Sequence, residues 1–497
     1  MKKLLFNIIV MGLFSVLVSS CYKDTSTEGA LDFPSATVSG VEASYTVYTH
    51  LDVLHINPTV ADEAQYDFCW TVYSTNFNVF AGVVPKADTL SKTKELNYTV
   101  LLDPGQYILV LNIKNKKTSV TDMRTFNLSV STLNMGGWYL LKDDGTKTDF
   151  DFIYPTGRIN NWIANYNGGR NLTGKALKAV FAPSFKLSPT ATDQFNTFAV
   201  ITDQDAAIFR IDNGKIVMDF NNMFFKTPTV KKPQNIFQPM STTNLFIVND
   251  NKVYMMSKGA LFADPPVSAY KISPVAAVGA DPIFFDQNSK SIVLCNTSGN
   301  YLALAANGTA LLKNMNADLV WIGGYAGLRS IALTLFRQND GSGLLVKINA
   351  SLPYLEFWGS SYTPVVQQSV IVPQTHGLMS ADVIGGNYDA DYIYYAKGNK
   401  IYLTDLVSLQ ENLQVTLPAG EQVTCIQHIK YPQPASGVTT TTDYLAIASY
   451  SNGHYKVYLH KISSTGTIQA LPQPNFEGDG RVSCINYVEQ GNGSRVF

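Results

Sequence analysis

Near its C-terminus the chain carries Val482-Ser483-Cys484-Ile485-Asn486, a stretch that decides the fold because it repeats Val423-Thr424-Cys425-Ile426-Gln427 from 59 residues earlier. The earlier copy precedes an apolar hairpin at 444–462 and would be the leading strand of that hairpin. The later copy has almost no chain after it, whereas a hairpin at 138–153 lacks a leading strand. We therefore expect the C-terminal strand to join that first hairpin, which closes a ring and removes exposed sheet edges. The alternative is a final strand on a separate sandwich.

Seven such hairpins, each made of two apolar runs around a polar turn, follow one another after Gly136-Gly137-Trp138. Their starts lie 38 to 62 residues apart, which is typical of four-stranded propeller blades with loop insertions. The hairpins begin at residues 138, 197, 245, 283, 330, 392 and 444. This spacing predicts a seven-bladed β-propeller over residues 136–497.

Composition supports a strand-rich protein and excludes one class of partner. Hydrophobic residues make up 45% of the 497 residues and charged residues 15%, with 27 Tyr and 26 Phe. Such a chain is long and apolar enough to build a sizeable core, and its aromatic content favours strands over helical bundles. The formal net charge is −1 and no basic run stands out, so we expect no nucleic-acid partner.

The N-terminus has the pattern of an export signal. Met1-Lys2-Lys3 is followed by an apolar stretch to about Val18 and then by Ser19-Ser20-Cys21, a basic segment, an apolar segment and small residues in the usual order. This resembles a bacterial lipoprotein signal, in which the cysteine is acylated and the preceding peptide is removed. We expect a signal peptide at 1–20, a lipid anchor on Cys21 and a polar tether at 21–32, without a spanning helix. The alternative is an ordinary signal peptide with an incidental cysteine.

Residues 33–132 alternate between apolar and polar positions in several short runs. Clear runs occur at 66–73, 96–101 and 107–113, with a turn at Asp103-Pro104-Gly105. Period-2 patterning over about 100 residues predicts a β-sandwich of immunoglobulin-like size. The aromatic-Trp strand, the Leu-x-Tyr strand and the Pro-Gly-x-Tyr turn are similar to the polycystic-kidney-disease-like (PKD-like) domains of Bacteroidota surface lipoproteins.

Together with the anchor and the entry motif Gly137-Trp138-Tyr139-Leu140-Leu141, this order resembles the PKD-like lipoprotein family over nearly the whole mature chain. The resemblance implies an all-β protein: an N-terminal PKD-like (immunoglobulin-like) β-sandwich, then a seven-bladed β-propeller, held on the outer membrane and facing the cell exterior. It also implies a non-catalytic binding or assembly component beside a SusC-like transporter and a SusD-like lipoprotein in glycan or peptide uptake. The competing hypothesis is a surface glycoside hydrolase or other propeller hydrolase, whose carboxylates could sit on any blade.

Two loops carry aromatic residues without strand alternation and are candidates for contact with a ligand or partner. The first, at 160–171, is rich in amides and glycines and contains Trp162, Tyr166 and Arg170. The second, at 357–362, contains Trp358 and Tyr362. Aromatic faces beside amides suit sugar rings, and equally suit peptides. The alternative is that these aromatics pack between blades.

No motif predicts a metal, a cofactor or a catalytic residue. The six histidines show no metal-ligand spacing, and Asn387-x-Asp389-x-Asp391 lacks the later Gly and Glu of a calcium loop, so a polar turn is expected there. The cysteines after Cys21 lie in apolar runs without a CxxC pair and are expected to be free thiols; the alternative is that they are oxidised in the exported protein. Asp88-Thr89-Leu90 resembles a short O-glycosylation acceptor of this bacterial group, which marks Thr89 as a modification site; a chance match is the alternative.

Overall fold

A computed structural model describes most of the chain as two separate compact units. The first unit ends at Ser131 and the second begins at Thr132. The described residues are 35–75, 86–238, 244–257, 259–263, 270–278, 282–295, 302–304, 310–324, 331–349, 366–430 and 443–488. Within them the protein is all-β, with one five-residue α-helix and three short 3₁₀ turns.

The first unit is a small β-structure around one apolar core. Its main sheet has the strand order β2-β9-β8-β5-β6, and two further strand pairs are β1-β4 and β3-β7. The strands are β1 (Val38–Ser39), β2 (Ser44–Tyr48), β3 (Val53–Ile56), β4 (Thr59–Val60), β5 (Tyr66–Ser74), β6 (Asp88–Ser91), β7 (Leu96–Thr99), β8 (Gly105–Asn115) and β9 (Thr121–Ser131). Trp70 is fully buried at the centre of the core, and its indole N–H donates to the Lys94 carbonyl at 2.9 Å.

Within its described residues the second unit contains seven antiparallel sheets, numbered here in chain order. Sheet 1 consists of β10 (Gly137–Asp143), β11 (Lys147–Tyr154), β12 (Gly157–Ile159), β13 (Leu172–Thr173) and β37 (Arg481–Val488). Sheet 2 consists of β14 (Ala176–Phe185), β15 (Phe195–Thr202), β16 (Ala206–Arg210) and β17 (Ile216–Asp219). Sheet 3 consists of β18 (Pro233–Phe237), β19 (Leu245–Asn249) and β20 (Lys252–Met256), and sheet 4 of β21 (Ala277–Val278), β22 (Pro282–Asp286), β23 (Ser291–Cys295) and β24 (Leu302–Leu304).

The remaining three sheets have four strands each, joined in sequence order. Sheet 5 consists of β25 (Ala317–Gly324), β26 (Ile331–Gln338), β27 (Gly343–Asn349) and β28 (Val366–Val372). Sheet 6 consists of β29 (Val383–Gly386), β30 (Tyr392–Lys397), β31 (Lys400–Asp405) and β32 (Asn412–Thr416). Sheet 7 consists of β33 (Gln422–Lys430), β34 (Asp443–Ser451), β35 (His454–Lys461) and β36 (Phe476–Asp479). Helix α1 (Trp162–Tyr166) lies between β12 and β13, and the 3₁₀ turns are Glu63–Gln65, Ala310–Leu312 and Gly377–Ser380.

The C-terminal strand pairs with the first hairpin, as its sequence repeat predicts. Strand β37 runs antiparallel to β10, from Gly137 opposite Val488 to Asp143 opposite Arg481. The repeat partner of this segment is β33, the first strand of sheet 7. Residues from the end of the chain therefore complete the sheet at the start of the second unit.

Seven apolar clusters join the seven sheets pairwise, each sheet to the next and sheet 7 back to sheet 1. Because neighbouring residues of a strand point to opposite faces, adjacent aromatics serve two different clusters. Phe284 packs toward sheet 3 and Phe285 toward sheet 5, while Tyr395 packs toward sheet 5 and Tyr394 toward sheet 7. Leu140 lies in the cluster shared with sheet 7. Burial on both faces explains why the middle strands read as continuous apolar runs.

Candidate functional site

Two open pockets lie side by side where sheet 7 meets sheet 1. The large pocket, about 580 Å³, is formed by sheet 7 and the loop that precedes it. The small pocket, about 340 Å³, is formed by the first turn of sheet 1, the α1 loop and the turn into β37. Edge strand β36 lies along both, because Glu477 and Gly478 line the large pocket while Asp479 lines the small one. We call the two pockets together the cleft.

Asp151 of β11 is a buried carboxylate that connects the walls of the two pockets. Its side chain is 1% exposed and receives Lys142 Nζ at 2.8 Å, Arg158 Nη2 at 2.6 Å and the Tyr455 hydroxyl at 2.7 Å. Lys142 lines the small pocket and Tyr455 lines the large one. Such a buried ionic group is stable only while every partner is in place. We call these four residues the Asp151 hub.

The hub depends on a glycine in the edge strand. A Cβ at Gly478 would lie 2.5 Å from Arg158 Nη2 and 2.8 Å from the Tyr455 hydroxyl oxygen. Arg158 also donates through Nη1 to the Glu477 carbonyl at 2.5 Å, so one guanidinium fastens β36 to sheet 1. Burial, together with the Asp151 carboxylate, raises the pKa of Tyr455 well above its ordinary value. The phenol therefore stays protonated and keeps donating to Asp151.

The large pocket contains a second buried carboxylate, Glu421, whose side chain is 5% exposed. One oxygen of Glu421 accepts from Lys456 Nζ at 2.6 Å and the other accepts from the Ser449 hydroxyl at 2.7 Å. The hydrogen bond to Glu421 raises the pKa of Lys456. This side of the pocket is thus a fixed ion pair between the loop that precedes β33 and strand β35.

Asp149, two residues before Asp151, holds the start of helix α1. Its Oδ1 accepts the Ile163 N–H at 2.6 Å, and its Oδ2 accepts the Ala164 N–H at 3.1 Å and the Asn171 amide at 2.5 Å. The backbone N–H groups of a helix's first turn have no partner inside the helix, so a carboxylate beside them stabilises the turn. Burial raises the pKa of Asp149 to about 6, although the hydrogen bonds from these N–H groups act to lower it.

The predicted aromatic loop at 160–171 is next to the cleft, but its rings point away from it. Trp162 is fully buried and Tyr166 nearly so, in the cluster between sheets 1 and 2, and the Trp162 ring lies 5.4 Å from that of Tyr139. These two residues therefore follow the packing alternative. Arg170 is half exposed and pairs with Asp219 at 3.3 Å. Asn161 and Asn171 of the same loop line the small pocket.

Other predicted positions fall partly outside the described residues. Cys21, Trp358 and Tyr362 lie there, and their roles stay predictions. Thr89 is exposed on β6. Within the described residues, no helix is long and apolar enough to cross a membrane.

The sequence reasoning did not single out the Asp151 hub, although a signal was present. In 147–154 the aspartates at 149 and 151 alternate with Phe150 and Phe152. Such alternation ordinarily indicates one apolar face and one solvated face. Here the whole residues Asp149 and Asp151 nonetheless expose only 5% and 0% of their surface, because the α1 loop and Arg158 cover the polar face of the strand.

A second polar cluster joins sheets 6 and 7 around His428, whose side chain is 1% exposed. Its Nδ1 accepts the Tyr388 N–H at 2.9 Å, so the neutral ring carries its proton on Nε2 and donates it to Asp443 at 2.7 Å. One ligand atom each from Asp389, His428 and Asp443 lie within 4.8 Å of one another. A metal on Nε2 would have to displace that proton while Nδ1 is already occupied. A hydrogen-bonded histidine therefore accounts for this geometry better than a metal centre.

The remaining motif residues have structural surroundings. The Asn387 side chain accepts the N–H groups of Asp389 and Ala390 at 2.8 and 3.1 Å, which makes this stretch a polar turn before β30. Cys425 and Cys484 are buried free thiols, and burial raises the pKa of both. Cys69 is a half-buried free thiol.

Comparisons with known proteins find one family model and several solved structures that resemble parts of this chain. The model of the PKD-like family matches residues 21–177, which places a PKD-like domain in the N-terminal part of the chain. No curated protein sequence matches the chain. A quinonprotein alcohol dehydrogenase-like protein from Bacteroides thetaiotaomicron is 13% identical, with 90% of this chain and 96% of that chain covered and a TM-score of 0.45. The WD40 domain of SCAP from fission yeast is 12% identical, with 63% and 74% covered and a TM-score of 0.34.

Proposed function

We propose that residues 136–497 form a seven-bladed β-propeller and that the protein is a non-catalytic binding or assembly component of a glycan or peptide uptake system. The architectural part is supported by seven sheets with seven apolar junctions, and by the pairing of β37 with β10. Lipidation of Cys21 would hold the protein on the outer membrane, facing outward. The partners in this proposal are a SusC-like transporter and a SusD-like lipoprotein.

The observation that carries the binding role is the rigid cleft between sheets 7 and 1. Three cations in or beside the cleft are each held by a buried carboxylate: Lys142 and Arg158 by Asp151, and Lys456 by Glu421. Burying charged groups is expensive unless they are paired, so a fold retains them mainly where they fix a geometry. A cleft whose polar walls are fixed before binding loses little conformational entropy when a ligand enters.

The hydrolase alternative has one observation in its favour, the raised pKa of Asp149, since a carboxyl group that titrates near neutrality is suited to proton transfer. The hydrogen bonds of Asp149 argue against a catalytic role for this residue. Both oxygens are engaged by backbone N–H groups or by Asn171, and these donors hold the α1 loop. Asp149 is thus committed to structure, and we favour binding over turnover.

The deciding experiment uses the full lipoprotein extracted in mild detergent. Pull-down should recover a SusC-like transporter or a SusD-like lipoprotein, and incubation with glycan and peptide pools should show binding without product release. Product release that disappears on a single Asp or Glu substitution would overturn the proposal. Cys21→Ala should move the chain to the soluble fraction; unchanged membrane partitioning of that variant would contradict the anchor.

A further inference from the structure

We propose that the cleft selects an uncharged oligosaccharide and rejects anionic glycans, an inference that rests on the binding role proposed above. The side chains lining the two pockets include six carboxylates and three lysines. With all groups ionised the lining carries an excess of three negative charges. Like charges brought together in a partly desolvated site repel strongly, so a polyuronate or a sulfated chain would enter at an electrostatic penalty.

Two of the three lysines of the lining, Lys142 and Lys456, are not available to offset this penalty, and the third, Lys147, lies beside Asp144, another carboxylate of the lining. Lys142 and Arg158 are bound to Asp151 at 2.8 and 2.6 Å, and Lys456 is bound to Glu421 at 2.6 Å. An anionic ligand that recruited one of these cations would leave a buried carboxylate without its partner. That loss is larger than the gain from a new ion pair at a wetter position.

The two exposed carboxylates of β36 give the entrance of the cleft a negative charge. Glu477 and Asp479 are exposed, one beside each pocket. Asp479 is 2.7 Å from His454, and both side chains are largely exposed. The remaining carboxylates of the lining are mostly engaged by donors of the protein itself, which leaves little open carboxylate for a basic peptide.

Neutral hydrogen-bonding groups complete the lining. Ser451 and Asn452 line the large pocket at the β34–β35 turn, and Asn161 lines the small pocket. Hydroxyl and amide groups exchange hydrogen bonds with sugar hydroxyls without requiring a charge on the ligand. An uncharged, hydroxyl-rich chain that runs along β36 therefore fits both the charge and the chemistry of the cleft.

The test measures binding of the full lipoprotein in mild detergent to a panel of hexasaccharides. The panel contains neutral glucose, mannose, galactose and xylose polymers, a polyuronate and a sulfated glucan, together with a lysine-rich hexapeptide. We expect at least one neutral hexasaccharide to bind about tenfold or more tightly than either anionic chain. The double variant Glu477→Gln/Asp479→Asn should gain affinity for the anionic chains, so that the ratio of neutral to anionic affinity falls. Glu63→Gln/Asp318→Asn, which neutralises two exposed carboxylates elsewhere, should leave the discrimination unchanged.

The outcomes separate this inference from the proposed function. If the wild-type protein binds an anionic chain or the peptide as tightly as the neutral chains, the selectivity claim is wrong and the binding role stands. If neutralisation of Glu477 and Asp479 leaves the discrimination unchanged, the assignment to the cleft is wrong. If no member of the panel binds while the transporter still co-purifies, the protein is an assembly component and the saccharide proposal fails.

Discussion

The two units of the chain treat buried polar groups very differently. Among the described residues, the first unit buries one polar side chain, that of Thr49, inside a single apolar core. Within the part of the chain that the structure describes, the second unit buries five charged residues in or beside sheets 1 and 7, and Asp286 in sheet 4. The five are Lys142, Asp143, Asp149, Asp151 and Glu421. The junction of sheets 6 and 7 also contains a polar cluster, around His428, but the buried charged residues are concentrated in and beside sheets 1 and 7, and we propose that this concentration marks a binding site.

The largest effect should come from deleting Arg481 to Phe497, which removes β37 from the junction. Val482, Ile485 and Val488 are buried there, and losing each forfeits about 1.5–3 kcal/mol. The total is comparable with the ~5–15 kcal/mol that stabilises a typical domain. We expect the whole second unit to lose cooperative unfolding in calorimetry while the transition of the first unit persists. An unchanged midpoint for the second unit would show that β37 does not close it.

The next effect should come from Asp151→Ala, which leaves Lys142 and Arg158 buried without their carboxylate. Removing one partner of a buried ionic group typically destabilises by about 3–5 kcal/mol, and urea unfolding should show a loss of this size. Asp318→Ala is the control, because it breaks an exposed pair with Lys290 and should cost less than about 1 kcal/mol. An equal loss of unfolding free energy in the two variants would show that the buried hub contributes no more to stability than an exposed ion pair does.

Asp149 should make the junction sensitive to pH. Its pKa is about 6 in the folded protein against 3.8 for an ordinary aspartate, so its stabilising contribution is complete below about pH 4 and is lost as the pH rises through about 6. The size of the effect is roughly 2–3 kcal/mol for a shift of about two units. Asp149→Asn should therefore destabilise more at pH 4 than at pH 7. The same free-energy loss at both pH values would contradict the burial of an ionisable group there.

The smallest of these effects should come from Gly478→Ala, whose methyl group would displace Arg158 or Tyr455 from the hub. Overpacking of this kind costs about 1–3 kcal/mol, and it should also weaken ligand binding in titration calorimetry. Gly105→Ala is a matched control in the first unit, because its Cβ would meet Tyr107 at an ordinary 3.6 Å. If both variants lose the same amount of stability and affinity, then the glycine at position 478 is not needed to make room for the hub.

The sequence predicts the strands better than it predicts the site. All seven hairpin positions correspond to antiparallel strand pairs, and the Val-Ser-Cys-Ile-Asn repeat correctly pairs the last strand with the first hairpin. These signals are local or repeated, so a periodic pattern suffices to find them. The Asp151 hub joins Lys142, Arg158 and Tyr455, the last about 300 residues away along the chain. Lys142, Arg158 and Asp151 share sheet 1, but only the packing of sheet 7 on sheet 1 adds Tyr455, and no pattern within one strand contains that information.

The aromatic loop at 160–171 shows a different limit of sequence-based prediction. The composition of 160–171 predicts a segment that contacts a ligand or partner, and this segment lies beside the cleft, but composition cannot say which side chains face inward. Because Asp149 holds the first turn of α1, Trp162 is directed into the apolar cluster between sheets 1 and 2. The amide residues Asn161 and Asn171 are the ones that line the small pocket.

The central claim, that the charges of the junction serve a ligand rather than the fold, is tested most directly by replacing the Asp151 hub with apolar groups. The variant is Lys142→Met/Asp151→Leu/Arg158→Met/Tyr455→Phe in the full lipoprotein. Unfolding and affinity for the neutral hexasaccharide are measured on the same preparation. Apolar replacement of a whole buried ionic group is often neutral or stabilising, so we expect an unfolding midpoint equal to or above that of the wild type, with affinity reduced about tenfold or more. A lower midpoint with unchanged affinity would contradict the claim.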